Sequence, residues 1–383
     1  MLLKKEHQEF REKIRAFADE KIAPKAASLD LEQRFPTEYL KPLAEMGMMG
    51  MVVPEKYGGS PVDTVCYSIA VEELSRVCGS TGITIAAHNS LGCFPILKFG
   101  SEQQRQKYLP RGTRGGELLA FGLTEPEAGS DAGATKTTAV KKTDHWILNG
   151  TKCFITSASQ AFASVITART TDAPGVKGIS SFLLEKTWPG YEIGKKENKM
   201  GLRGSDTAFM HFTDVKVPLE NMLGNEGEGF KQFMITLDGG RISIGAMALG
   251  LAQGAYEVAL KYAAHTMDNG KPLGESQAVQ WKLADMATEI EAARYLIYGA
   301  SQMKDAGVKF SKESAMAKLY ASEVGRRVGY EAIQILGEVG LITGRYPAER
   351  MLRDVKLCEI GEGTSEIQRI VIAREVLKSV MDA

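Results

Sequence analysis

Nothing in this 383-residue chain is apolar for long enough to cross a bilayer. Its opening residues, MLLKKEHQEFREK, hold no apolar core of signal-peptide length. The expectation is a cytoplasmic protein with no membrane insertion. Charge of one sign is missing too: 47 basic residues balance 47 acidic ones, which removes the electrostatic case for nucleic acid or an anionic surface. The five cysteines, Cys66, Cys78, Cys93, Cys153 and Cys358, are odd in number and scattered. No pair has metal-ligand spacing, and the histidines do not cluster with them. Reduced, buried thiols and no metal follow. Also absent are a G-x-G-x-x-G between strand and helix, a G-x-x-x-x-G-K-[ST] and a G-x-S-x-G. GNEGEGF at 224–230 is Gly-rich but acidic, a poor seat for pyrophosphate. These absences exclude a nucleotide held in the Rossmann manner and disfavour a hydrolase.

What remains is an ordinary globular composition, 44% hydrophobic and 25% charged, in a chain long enough for two or three domains. Phe10, Ile14 and Phe17 recur at helical spacing and predict a first helix ending near Pro24. Further helical patterns over 37–48, 67–78 and 103–108 make residues 1–120 a helical domain. The texture then changes to short β-branched or aromatic runs at 137–140, 145–148, 163–168, 180–185 and 208–212. KKTD and TDHWILNG punctuate them as hairpins, so 121–228 reads as a β domain. Helix formers dominate 229–383, with long helices over 246–264, 279–304 and 311–336 suited to bundle packing. The predicted fold class is mainly α with a β middle domain.

One carboxylate stands out. Glu362 lies between Gly361 and Gly363, where missing side chains let a ligand approach the backbone. Thr364, Ser365 and Glu366 then open a helix with exposed N–H groups, carrying Ile367, Ile370, Val371 and Val376 on one face. Such a carboxylate suits a general base; a capped turn with a solvated glutamate is the competing reading.

GEGTSEIQRIVIARE at 361–375 resembles the C-terminal signature of the acyl-CoA dehydrogenases, flavoenzymes that desaturate acyl-CoA thioesters. VPEKYGG, FGLTEPEAGSDA, NGTKCFITSAS, KMGLRGSDTAFMHFTDVKVPLENMLG and LDGGRISIGAMALGLAQGAYEVA resemble the same family, in the same order. The resemblance runs nearly end to end. It implies an N-terminal helical domain, a β-barrel-like middle domain and a C-terminal four-helix bundle. It further implies FAD, an acyl-CoA substrate, an electron-transfer flavoprotein as partner, and a homotetramer built as a dimer of dimers. Position by position, Glu362 becomes the base that takes the α-proton. Phe121, Leu123, Thr124, Phe154 and Thr156 lie along the flavin, and Thr364 and Glu366 meet it from the last helix. Gln277, Gln334 and Gly337 complete the cofactor set, whose adenylate end reaches a neighbouring subunit. Ser130 bonds the pantetheine chain, Asp238 and Arg241 hold the adenosine end of CoA, and Gly363 adjoins the substrate. An i, i+3 ion pair on a helix is the plainer account of Asp238 and Arg241. Relatives that place the base on this helix differ here, since Gly239 and Gly240 carry no carboxylate.

Three departures from the family pattern stand out. Thr266 and Asn269 replace the Arg and Phe of R-x-x-F-G-K-P. Glu338 replaces a glycine in Q-x-x-G-G-x-G, putting a carboxylate toward a pyrophosphate. Gly361 stands where Tyr is common, and the space it leaves implies a short, branched or cyclic acyl group. An enoyl-CoA reductase, an oxidase and an acyl-CoA-binding relative without FAD remain open as alternatives.

Overall fold

The structure, a computed structural model, describes residues 3–173 and 175–381; the outer bounds 1 and 383 of the sequence-based domains lie outside that range. The first helix does not stop at Pro24. Helix α1 (Lys5–Phe17) passes through a π-turn at Ala18–Ile22 into α2 (Ala23–Leu31), with Pro24 in the first turn of α2. The wider π-turn leaves backbone groups unpaired there, so a residue without an N–H costs the path little. A 3-10 turn at Thr37–Tyr39 and α3 (Leu40–Glu45) follow, then α4 (Thr64–Val77), α5 (Gly79–Ala87), α6 (Phe94–Phe99) and α7 (Glu102–Thr113). Helix α7 outruns its predicted end at 108 because Pro110 falls in its last turn, where only one bond is forfeited. Its start is fixed by a capping box between Ser101 and Gln104.

The β layer contains β1 (Leu118–Gly122), β2 (Thr138–Lys141), β3 (His145–Thr156), β4 (Ala161–Arg169), β5 (Ile179–Glu185), β6 (Tyr191–Lys196), β7 (Thr207–Pro218) and β8 (Met222–Leu223). They form one sheet in the order β6-β7-β3-β2-β4-β5-β8, with β1 parallel to β4. The KKTD hairpin is present, with Lys142 N donating to His145 O and β2 antiparallel to β3. Three strands escape the sequence pattern: β1, the polar edge strand β6 and the two-residue β8. Strand β3 also runs eight residues past its predicted end at 148, because its inner positions there include the fully buried Lys152. A lysine facing inward breaks the alternation on which strand recognition rests.

Helix α8 (Gly229–His265) is 37 residues long and starts well before the predicted 246. Its glycines explain both the missed start and the packing. A Cβ at Gly250 would lie 2.2 Å from the Glu72 carbonyl oxygen, and one at Gly254 the same distance from that of Arg76. Helix α4 therefore rests backbone-to-backbone on α8. A short hairpin of β9 (Met267–Asp268) and β10 (Lys271–Pro272) leads to α9 (Gln277–Asp305), α10 (Ser311–Leu336), α11 (Ala348–Val355) and α12 (Ser365–Met381). Helices α8, α9, α10 and α12 make the four-helix bundle. Asn269 and Gly270 sit at the β9–β10 turn with φ of 48° and 79°. Two successive positive φ values suit Asn-Gly and not Phe-Gly, which accounts for the departure at Asn269.

Candidate active site

Glu362 lies on the turn that links a 3-10 segment, Lys356–Glu359, to α12. The backbone there is left-handed at both Glu362 (φ 57°) and Gly363 (φ 98°). This turns the carboxyl inward instead of toward water, so the solvated reading fails. Both carboxylate oxygens are buried and neither has a hydrogen-bond partner. The space they occupy belongs to Gly240 of α8, where a Cβ would stand 1.8 Å from Oε2. Burial drives the Glu362 carboxyl up to about 7, while the charges of Lys318 and Arg241 pull the other way.

The turn is anchored from below. Lys318 of α10 donates to the Gly363 carbonyl at 2.6 Å. Gln368 of α12 donates to the Glu362 and Gly363 carbonyls at 3.2 and 2.8 Å. Thr364 Oγ1 accepts from the Ile367 N–H at 3.3 Å and caps the helix as expected, while Glu366 points to solvent. No acceptor among the described residues takes the Glu362 N–H.

Asp238 and Arg241 do form the plain i, i+3 pair, at 2.5 Å, and Ser311 donates to the other Asp238 oxygen at 2.6 Å. Arg241 is only 1% exposed, however, and its Nε is unpaired. It faces Glu362 across the wall of α8, and burial lowers its proton affinity despite Asp238.

The other sequence-derived residues fall into two groups. Phe121, Leu123 and Thr124 lie on β1 and the segment after it, beside β3. The Phe121 ring stacks on Phe233 at 4.1 Å, Leu123 O accepts from Lys152 Nζ, and Thr124 O accepts from Cys153 N. Phe154 sits in a β-bulge of β3 with φ 58°, its ring 64% exposed, and Thr156 ends the same strand. An aromatic ring turned outward by a left-handed bulge offers a flat wall that the protein's own core does not use. These residues fit a flavin ring laid against the sheet. Ser130 is exposed on the loop beyond Glu125–Ala128.

Gln277, Gln334 and Gly337 are exposed and remote. Gln334 lies further along α10 from Lys318 by about 24 Å at the helical rise. One chain therefore does not bring them to Glu362. Glu338 beside them is also exposed.

Sequence reading missed Lys318, Gln368 and the Lys152–Glu125 pair. Lys152 Nζ is bonded at 2.7 Å to Glu125, at 2.9 Å to Leu123 O and at 3.0 Å to Thr167, and burial brings its ammonium down to about 8. Glu125 accepts from the Lys136 and Thr137 N–H groups, so this one pair ties the 123–125 segment to the sheet. For Lys152 a signal existed, a charged residue in phase with inward positions of β3. For Lys318, one of two lysines on α10, the signal was its phase with the buried Ser314, Ala315, Ala321 and Ser322.

Three family models match the chain in succession: acyl-CoA dehydrogenase, N-terminal domain, over residues 4–116; middle domain, over 120–215; and C-terminal domain, over 227–377. The mitochondrial short-chain specific acyl-CoA dehydrogenase of Mus musculus is 49% identical over 373 residues, spanning 97% of this chain and 90% of that protein. Butyryl-CoA dehydrogenase from Megasphaera elsdenii superimposes with a TM-score of 0.96 at 43% identity, covering 98% of this chain and 99% of that one. A chain in a structure described as the electron transferring flavoprotein of Acidaminococcus fermentans, concerned with flavin-based electron bifurcation, gives 0.96 at 46% identity over 98% and 99%.

Proposed function

The chain belongs to the acyl-CoA dehydrogenase family, and on that premise we propose that it removes the α- and β-hydrogens of a short acyl-CoA thioester, with Glu362 as the base. One observation carries the assignment: a buried carboxylate with no hydrogen-bond partner, aimed into the gap left by Gly240. A thioester makes its α-hydrogen acidic, but a carboxylate in water is too weak to take it. Desolvation raises the proton affinity of Glu362 to about 7, which suits it to act near neutral pH. The unpaired Glu362 N–H is a donor for the carbonyl oxygen where enolate charge develops. Arg241 balances the charge around Glu362 and, with Asp238, borders the CoA side of the site.

Phe121, Leu123, Thr124, Phe154 and Thr156 would hold FAD against the β layer, and Thr364 and Glu366 would meet it from α12. When bound, FAD supplies the acceptor for the β-hydrogen as hydride. Gln277, Gln334 and Gly337 serve the cofactor of a second copy, which their distance from Glu362 supports and which requires an oligomer; a homotetramer meets that need. Ser130 contacts pantetheine, and Gly363 adjoins the thioester. An electron-transfer flavoprotein would then reoxidise this cytoplasmic enzyme. At Gly361 an added Cβ would meet nothing nearer than Leu357 at 3.6 Å, which leaves room beside the reacting carbons for a branched or cyclic group.

The test is an absorption spectrum of the purified protein under nitrogen, before and after addition of butyryl-, isobutyryl- and cyclic acyl-CoAs. The expected outcome is a flavin band that bleaches, fastest with one acyl class. A colourless protein that stays inactive with added FAD overturns the proposal. A strong preference for butyryl-CoA over branched and cyclic substrates removes the Gly361 argument alone.

A further inference from the structure

Lys318 is fully buried on α10, yet its bonded acceptor is a neutral carbonyl, that of Gly363, at 2.6 Å. That carbonyl already has a second, uncharged donor in Gln368 at 2.8 Å. Burying an ammonium is expensive, and a hydrogen bond alone does not require a charge there. The groups around the Glu362 carboxyl account for it. Helix α8 presents Arg241, itself tied to Asp238; α4 presents the Tyr67 hydroxyl, bonded to Ala86 O; the 3-10 segment presents the Cys358 thiol; and α10 presents Lys318. Glu359, on the same segment and within electrostatic reach of Lys318, is bound to Arg326 and Lys356. Two cations thus face Glu362. Arg241 is committed to Asp238, whereas Lys318 has no carboxylate bonded to it.

We propose that Lys318 is a positioning residue for the catalytic base. Its ammonium holds the left-handed Glu362–Gly363 turn through the Gly363 carbonyl, so that the carboxyl enters the Gly240 gap, and its charge keeps that carboxyl ionisable without touching it. Gln368 is the uncharged half of the same clamp. The inference rests on Glu362 being the base.

Burial brings the Lys318 ammonium down to about 8 and the Glu362 carboxyl up to about 7, so the cation is present where the base begins to ionise. Removing a nearby positive charge favours the protonated carboxyl, so the pH at which the base becomes competent rises. Removing the hydrogen bond lets the turn drift, and drift costs rate at any pH.

The experiment measures flavin bleaching by substrate in anaerobic stopped flow, from pH 5.5 to 9, on holoenzymes matched for FAD content and thermal midpoint. Lys318→Met, which loses both donor and charge, should lower the limiting rate about 10–100-fold. It should also move the pH midpoint upward by roughly one unit. Lys318→Gln keeps a donor and should recover much of the rate while leaving the midpoint shifted. Gln368→Leu should lower the rate with the midpoint unmoved, and it serves as the test if Lys318→Met fails to fold. Wild-type rate and midpoint in Lys318→Met, or a wild-type rate in Gln368→Leu where Lys318→Met is not obtained, overturns the proposal. Glu362→Gln is run alongside. If that variant still bleaches at the wild-type rate, the base assignment itself has failed, a result distinct from failure of the clamp.

Discussion

Glu72 and Glu362 are both carboxylates withdrawn from water, and the protein treats them in opposite ways. Glu72, on α4 and 1% exposed, accepts from Arg294 through Nε and one terminal nitrogen at 3.1 Å, from Arg11 at 3.3 Å, and from the Tyr298 hydroxyl. Its neighbour Glu73 is held by Arg15 and Arg76. The pair joins the N-terminal helices to the bundle through α9, with every charge answered. Glu362 has two cations within electrostatic reach but no hydrogen bond on either oxygen. Full pairing makes a buried carboxylate inert and structural, because every polar atom is compensated. Withheld pairing leaves it with raised proton affinity and a reason to react. Removing each should therefore fail differently.

The largest effect is expected at the unpaired site. Glu362→Gln should reduce substrate-dependent flavin bleaching about 10²–10⁴-fold, the range for loss of a general base. Its melting temperature should be preserved; a melting temperature that collapses would mean Glu362 is structural after all. Gly240→Ala places a Cβ 1.8 Å from Glu362 Oε2 and should cut the bleaching rate by about 10²-fold, the scale of a 1 Å misplacement. Alanine is the better helix former by about 1 kcal/mol, so stability should change little, and calorimetry beside stopped flow separates the two. Glu72→Ala should do the reverse. It takes a shared acceptor from Arg11, Arg294 and Tyr298, while Glu73 stays beside Arg11 and Glu291 beside Arg294, and should cost about 1–3 kcal/mol in denaturant unfolding, with the bleaching rate per folded, flavin-loaded protein nearly unchanged.

The subtlest effect is in pH. The folded state holds the Glu362 proton more tightly than the unfolded chain does. Above the ordinary carboxyl range the unfolded state has ionised while the folded state has not. Stability from this residue is therefore lost as pH rises, and the loss levels off past about 7. The bleaching rate should climb over the same interval. Melting curves of the wild type against Glu362→Gln at pH 5 and 8 should show the variant gaining on the wild type at the higher pH. Parallel curves would mean the carboxyl titrates normally.

Comparison of the site with the sequence shows where reading succeeds. Glu362 and its cap at Thr364 were legible because the glycines and capping residues are adjacent in the chain. The helices α9 and α10 were legible nearly to the residue, because their apolar positions keep one period over many turns. Helix α8 was not, because its N-terminal half carries Gly239, Gly240 and Gly245, of which Gly240 makes room for Glu362, and glycine argues locally against helix. The run through Pro24 was missed for a related reason, since a π-turn is a property of how α1 and α2 pack and not of proline itself.

By itself, then, the sequence determined the helical, β and helical order, the family resemblance and the choice of Glu362 as the candidate base, all of which are carried by neighbours in the chain. Only the tertiary structure decided that this carboxylate is dry, unpaired and fitted into the gap at Gly240. The same holds for the support its turn receives from Lys318, 44 residues away in the chain, and for the retreat of Arg241 from the surface. Desolvation and charge act through space between α8, α10 and α12. No local pattern of residues encodes which side chains those helices bring face to face.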